Sequence, residues 1–251
     1  IARKAAAKLM PVSLELGGKS PTVVFADADQ DVAIAGILFG IFSSTGQSCI
    51  AGSRLFVQRS IHDAFVAKLV AATKALRVGH PQDPRTQVAP LVHAKHRDAV
   101  ERHVQDAIAD GATLLAGGAR PEGPGAYYLP TILAGVDNTA RICREEVFGP
   151  VLVVLPFGDE AELIAMANDN EYGLACGDWT RDFPRAWRVG RAIAAGTVWI
   201  NTYKQFSIST PFGGMKASGL GREKGREGIR AWMAQKSLFL DMGGMPHPWA
   251  A

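Results

Sequence analysis

Alternation is the feature that most constrains this chain: from Lys8 onward, short β-rich runs take turns with longer stretches of helical period. A largely parallel sheet requires this, because each strand must be followed by a return segment long enough to re-enter the sheet from the same end. Strand candidates fall at 12–16, 22–25, 55–58, 113–116, 151–156, 174–179, 197–200 and 237–241. Most are continuous apolar runs, the pattern of strands buried on both faces. The spacing predicts helices over 30–42 after an Asp29 cap, 62–76, 93–110 closed by Gly111, 160–168, 184–195 and 223–235. The predicted class is α/β with a mostly parallel sheet. Residues 117–125 read as an ordinary Gly/Pro-rich loop, and no repeat or long linker divides the chain.

Composition narrows the partners. With 47% hydrophobic and 20% charged residues, 27 Gly and 14 Pro, the chain is neither disordered, collagen-like nor coiled-coil. Its formal charge of +3 is small and evenly spread, so no nucleic acid is expected. The longest nearly apolar run, 32–42, falls well short of the ~20 residues of a membrane helix, so no membrane partner is expected. The opening IARKAAAKLM lacks the apolar core of a secretory signal, which makes the cytoplasm the expected location. Cys49, Cys143 and Cys176, an odd number without CxxC spacing, suit neither a disulfide framework nor a zinc site, and should be reduced.

Two phosphate-loop near misses carry nothing. Gly18-Lys19-Ser20 imitates the end of a Walker loop, but Ser13 stands where its first glycine should be. Gly219, Gly221 and Gly225 are spaced one residue too long for a dinucleotide fingerprint. His93, His96 and His103 recur at helical spacing among Lys95, Arg97, Asp98 and Glu101, which reads as a solvated helix face and not as a metal site. The stronger constellation is Glu15 in LELGGKSP with Cys49 in STGQSCIAGSR. Glu15 would stand at a strand end, partly desolvated, where a raised pKa suits a general base. Cys49 lies in a polar segment of Ser, Thr, Gly and Gln; spacing alone leaves both a nucleophile and a buried structural thiol open.

LELGGKSP, GQSCIAGSR, EEVFGPV and PFGGMKASGLGREKG, in that order and spacing, resemble the NAD(P)-dependent aldehyde dehydrogenase superfamily. Intervening segments such as YYLPTIL and NDNEYGLACGDWTRD are similar to the family's as well, so the resemblance covers essentially the whole chain. It implies a three-layer catalytic domain with a mostly parallel sheet, over residues 18–230. Residues 1–17 would be a remnant of the Rossmann-like cofactor domain, and 231–251 a C-terminal oligomerisation strand and tail. It further implies that Cys49 is the nucleophile, passing through a thiohemiacetal and a thioester, and that Glu15 activates the hydrolytic water. Glu223 would be a second carboxylate in a proton relay. Glu146 and Phe148 would hold the nicotinamide ribose, the Leu16 backbone would meet the nicotinamide, and Phe212 would line the aldehyde pocket. The implied cofactor is NAD or NADP, the implied partners a small aldehyde and a second copy of the chain, as dimer or tetramer.

The family's upstream glycine motif and its oxyanion-stabilising asparagine have no counterpart here. The chain opens on Ile1 with a helix running straight into a strand, and so resembles an N-terminally truncated member expected to be inactive alone. Two alternatives stay open: cofactor-independent ester hydrolysis by Cys49, and a non-catalytic assembly fragment. The sequence does not name the aldehyde. Lys204 would suit an anionic one, although a single lysine read as exposed decides nothing.

Overall fold

The computed structural model of the chain describes residues 1–243 and 249. Seven strands form the central sheet: β2 (Pro21–Val24), β3 (Arg54–Gln58), β4 (Thr113–Ala116), β5 (Thr131–Ala134), β6 (Val151–Phe157), β8 (Ala175–Trp179) and β9 (Thr197–Ile200). Their order is β4-β5-β6-β3-β2-β8-β9, and every neighbouring pair is parallel except β4 with β5. The long helices are α2 (Gln30–Phe42), α3 (His62–Lys74), α4 (Ala94–Ala109), α6 (Glu160–Asn168) and α7 (Phe183–Ala192).

Alternate strand residues feed two cores, one on each face. Val24, Leu55, Val57 and Val154 pack with Ile37 and Ile41 of α2 and with Phe65 and Leu69 of α3. Val23, Phe56, Val153 and Leu155 pack with Val100 and Val104 of α4, Leu163 of α6 and Val189 of α7. The result is the three-layer α/β arrangement the alternation predicts.

Local signals explain most boundaries. The Asp29 carboxylate accepts the Val32 N–H at 3.3 Å, so α2 starts where its cap dictates. Two glycines inside α2 admit neighbours: a Cβ on Gly36 would stand 2.6 Å from the Trp179 ring, and one on Gly40 would stand 3.0 Å from Tyr203. The missed strand β5 follows Pro130 directly and is four residues long.

The strand predicted over 12–16 is cut to β1 (Leu14–Glu15), whose antiparallel partner β11 (Gly219–Leu220) was missed, as were the second two-residue antiparallel pair, β7 (Tyr172–Gly173) with β10 (Met215–Lys216), and the single turn α5 (Arg141–Arg144). The N-terminal helix α1 spans Ala2–Ala6 only. The helix predicted over 223–235 shrinks to α8 (Gly225–Arg230), because Lys224 and Gly225 both adopt positive φ and Glu223 pairs instead with Phe212. No strand forms at 237–241, where Leu238 and Phe239 are 84% and 96% exposed and have no ladder partner among the described residues. The rest of the predicted C-terminal segment, at 244–248 and 250–251, lies outside the described residues. Among those described, no helix is long and apolar enough to cross a membrane.

Candidate active site

Three loops enter three adjacent parallel strands from the same end: 17–20 before β2, 47–53 before β3 and 146–150 before β6. The site is thus built at the amino ends of β6, β3 and β2, and the glycines of LELGGKSP make the meeting possible. The Gly18 N–H donates to Glu146 Oε1 at 3.0 Å, and a Cβ on Gly18 would stand 2.5 Å from the Cys49 carbonyl oxygen. Gly18 therefore touches both other loops, which a side chain there would push apart.

Cys49 is delivered by a tight reversal. After α2 the chain kinks over Ser43–Gly46, where Ser44 and Thr45 take left-handed φ of 54° and 57°, a strained choice for non-glycine residues. Thr45 Oγ1 donates to the Ala89 carbonyl at 2.8 Å and holds that turn. Cys49 is half-buried at the edge of the core, whereas Cys143 and Cys176 are fully buried. Burial pushes the Cys49 thiol up; the Glu146 and Glu15 carboxylates add to this, while backbone N–H groups of Ile50 and Cys49 oppose it.

Glu15 closes β1, paired with Gly219. Both of its carboxylate oxygens are buried without a hydrogen-bond partner. Burial raises its pKa, repulsion from Glu223 raises it further, and the Arg222 guanidinium offsets part of the rise. Glu223 is exposed and exchanges both backbone hydrogen bonds with Phe212 at 2.7 Å. The Phe212 ring meets Phe206 edge-on at 5.5 Å. The Leu16 N–H is committed to the Ser218 carbonyl at 3.1 Å, which leaves its own carbonyl as what it offers a ligand. Glu146 is pushed up by burial, with the Gly18 N–H and Lys19 opposing.

Phe148 has φ of 55° and a ring that is 40% exposed. Its carbonyl accepts from His96 Nε2 at 2.7 Å. The three histidines therefore act separately, not as one solvated face. The His93 Nδ1 caps α4 by accepting the His96 N–H at 3.0 Å, His96 fixes Phe148, and His103 stands 3.8 Å from Glu145. Burial and Arg141 push the His103 pKa down against Glu145.

The sequence also gave no hint of Ser218, which is fully buried. Its hydroxyl donates to the Gly17 carbonyl at 2.7 Å and accepts the Gly173 N–H at 3.0 Å. Nor was Tyr203 foreseen, whose hydroxyl donates to the Ile50 carbonyl at 2.9 Å beside Cys49. Asn201 turns away and bonds to the Thr180 backbone, and Trp199 donates to the Gln205 carbonyl.

The sequence profile described as Aldehyde dehydrogenase family matches residues 1–238. Among curated proteins, the chain is 46% identical over 252 residues to a betaine aldehyde dehydrogenase of Sinorhizobium fredii, covering 99% of this chain and 52% of that one. Among solved structures it is similar to a betaine aldehyde dehydrogenase of Staphylococcus aureus in complex with NAD+ (TM-score 0.96, 38% identity, 100% of this chain and 50% of that one). It is also similar to an NAD+ complex of an aldehyde dehydrogenase from Bacillus cereus (TM-score 0.94, 39% identity, 96% of this chain and 49% of that one). The chain spans about half the length of the curated relatives it matches.

Proposed function

The chain belongs to the aldehyde dehydrogenase family, and from that premise we propose that it supplies the catalytic chemistry of an oxidoreductase that turns an aldehyde, NAD(P)+ and water into a carboxylate and NAD(P)H. The observation that carries this reading is the meeting of three strand-entry loops, which brings the charges of Glu146 and Glu15 to bear on one half-buried thiol.

Cys49 is the nucleophile. Its thiolate adds to the aldehyde carbon, and the resulting thiohemiacetal oxyanion takes the Cys49 backbone N–H. NAD(P)+, when bound, supplies the acceptor for the hydride that this carbon releases. Glu15 then takes a proton from water as the water adds to the Cys49 thioester, and the carboxylate departs as the thiol is restored. Burial without a hydrogen-bond partner suits Glu15 to this role, since its raised pKa makes it a stronger base than an ordinary carboxylate. Glu223, close enough to repel Glu15, passes the proton towards solvent.

The residues at the mouth of the site fit a nicotinamide ribose. Glu146 is held by the Gly18 amide with a second oxygen left to accept from sugar hydroxyls, and the Phe148 ring is exposed beside it. Leu16 offers its carbonyl to the carboxamide, and Phe212 lines the aldehyde pocket. Residues 1–17 serve as the remnant of a cofactor domain, 18–230 as the catalytic domain, and 231–251 as a C-terminal segment whose part near 237–241 is given as a strand to another subunit of a cytoplasmic dimer or tetramer. The exposed, unpaired run at Leu238 and Phe239 supports the last point.

A second activity, hydrolysis of activated esters, is favoured by the presence of both Cys49 and Glu15 within this one chain. The test is aldehyde-dependent NADH or NADPH formation with a panel of neutral, carboxylate-bearing and cationic aldehydes, the last including betaine aldehyde from the relatives' names. Turnover abolished by Cys49→Ser supports the reading, and turnover that survives it ends it.

A further inference from the structure

We propose that Lys204 makes the aldehyde site selective for charge, favouring an aldehyde whose far end carries a carboxylate and disfavouring one that carries a fixed cation. The proposal rests on the reading of Cys49 as the nucleophile.

In sequence Lys204 would suit an anionic aldehyde but reads as an exposed lysine that decides nothing; it is instead half-buried. Its backbone sits at φ 56°, in the left-handed region that a lysine occupies only when its surroundings impose it. The preceding Tyr203 is fixed, stacked on Trp179 at 6.1 Å, tilted against Trp199 at 4.8 Å and bonded through its hydroxyl to Ile50. The reversal sends the Lys204 ammonium to Ser43, whose Oγ accepts from Nζ at 2.7 Å. Tyr203 therefore grips the residue after Cys49, and Lys204 grips the turn that leads into it.

Neither neighbour of the ammonium neutralises it. Ser43 is a hydroxyl, the other is the Phe39 ring at 5.8 Å, and among the described residues no ion pair includes Lys204. An ammonium has three donors, and Ser43 takes one. Glu146 and Glu15, the two carboxylates that act on Cys49, come from the loop before β6 and from β1, whereas the ammonium reaches the turn that leads into Cys49 through Ser43. The surroundings of the thiol thus hold, besides two carboxylates, an ammonium with no ion-pair partner among the described residues. Burial pulls the Lys204 pKa down while negative charge on Cys49 pushes it up, so thiolate and ammonium favour each other.

Charged thiol reagents test this without cofactor or turnover. On the full chain, the rates of Cys49 modification by anionic sulfonatoethyl and cationic trimethylammonioethyl methanethiosulfonate are compared. In both cases the thiolate attacks the reagent's sulfenyl sulfur, a disulfide forms, and methanesulfinate leaves with the electron pair. Mass spectrometry assigns the site; Cys143 and Cys176 are buried, so their labelling marks an unfolded variant.

Lys204→Met is expected to lower the anionic-to-cationic rate ratio about tenfold, Lys204→Arg to keep it, and added salt to shrink the difference. Lys204→Gln repeats the test should the methionine variant not fold. A ratio unchanged in the neutral variants overturns the proposal. So does an equal loss of rate with both reagents, which would make Lys204 an activator of the thiol only. Failure of the dehydrogenase reading shows separately, as turnover that survives Cys49→Ser.

Discussion

The Glu146 carboxylate occupies the space that a side chain on Gly17 would need: a Cβ built there would meet Oε2 closer than real Cβ contacts come. The obstructing atom ends a flexible side chain, so Gly17→Ala should be absorbed by moving Glu146 and not by moving backbone. The thermal midpoint of Gly17→Ala is expected within a few degrees of the parent. Its KM for the dinucleotide should rise about tenfold, the effect of losing one charge-assisted contact. A variant that loses stability and keeps its KM would show that Gly17 serves the fold alone.

Glu15→Gln keeps the size of the side chain and removes its basicity. Turnover should fall by roughly 10²–10⁴, the usual worth of a general base. The first half-reaction should survive, so a stopped-flow burst of NADH and an acyl adduct on Cys49 in the mass spectrum are the expected signs. Loss of the burst together with turnover would move Glu15 to the first step.

Carbamidomethylation of Cys49 by neutral iodoacetamide reads its thiolate fraction directly. Because burial, then Glu146 and Glu15, hold the thiol above its ordinary value of 9.0, the rate should climb through neutral pH towards a midpoint above that value. Glu146→Gln removes the largest charge contribution, so the midpoint should move down and labelling at pH 7.5 should accelerate. An unmoved midpoint would mean that Glu146 lies too far from the thiol to act on it.

Much of the fold was legible because buried parallel strands and capped helices leave strong local signals. Asp29 before α2 and the apolar run of β6 are examples. Glu15, Cys49 and Glu146 were legible as motifs, although their meeting was not: it depends on Gly17 and Gly18 touching residues more than a hundred positions away. Ser218 and Tyr203 escaped for the same reason, as did the burial and partner of Lys204, since these are set by tertiary packing and no local pattern encodes them. Arg54 is the extreme case. In sequence it opens an ordinary strand, yet it is 1% exposed and donates to the carbonyls of Lys19, Met166 and Ala167 and to Asn138 Oδ1.

Asp178 is fully buried in the middle of β8, and neither of its carboxylate oxygens has a hydrogen-bond partner. Burial raises its pKa from the ordinary 3.8 to about 7; Asp27 and Glu160 push the same way, and Arg185 opposes them. A carboxyl that is harder to ionise in the folded chain binds its proton more tightly there than in the unfolded chain. Its contribution is therefore fully present below about pH 4, declines as pH rises, and is gone above about pH 7, a change of up to roughly 4 kcal/mol. Asp178→Asn removes the titration and keeps the shape. Urea unfolding of both proteins between pH 4 and pH 8 should show the variant gaining on the parent as pH rises, with other titrating groups cancelling in the difference. A difference that stays flat across this range would mean that Asp178 ionises in the fold as readily as in the unfolded chain.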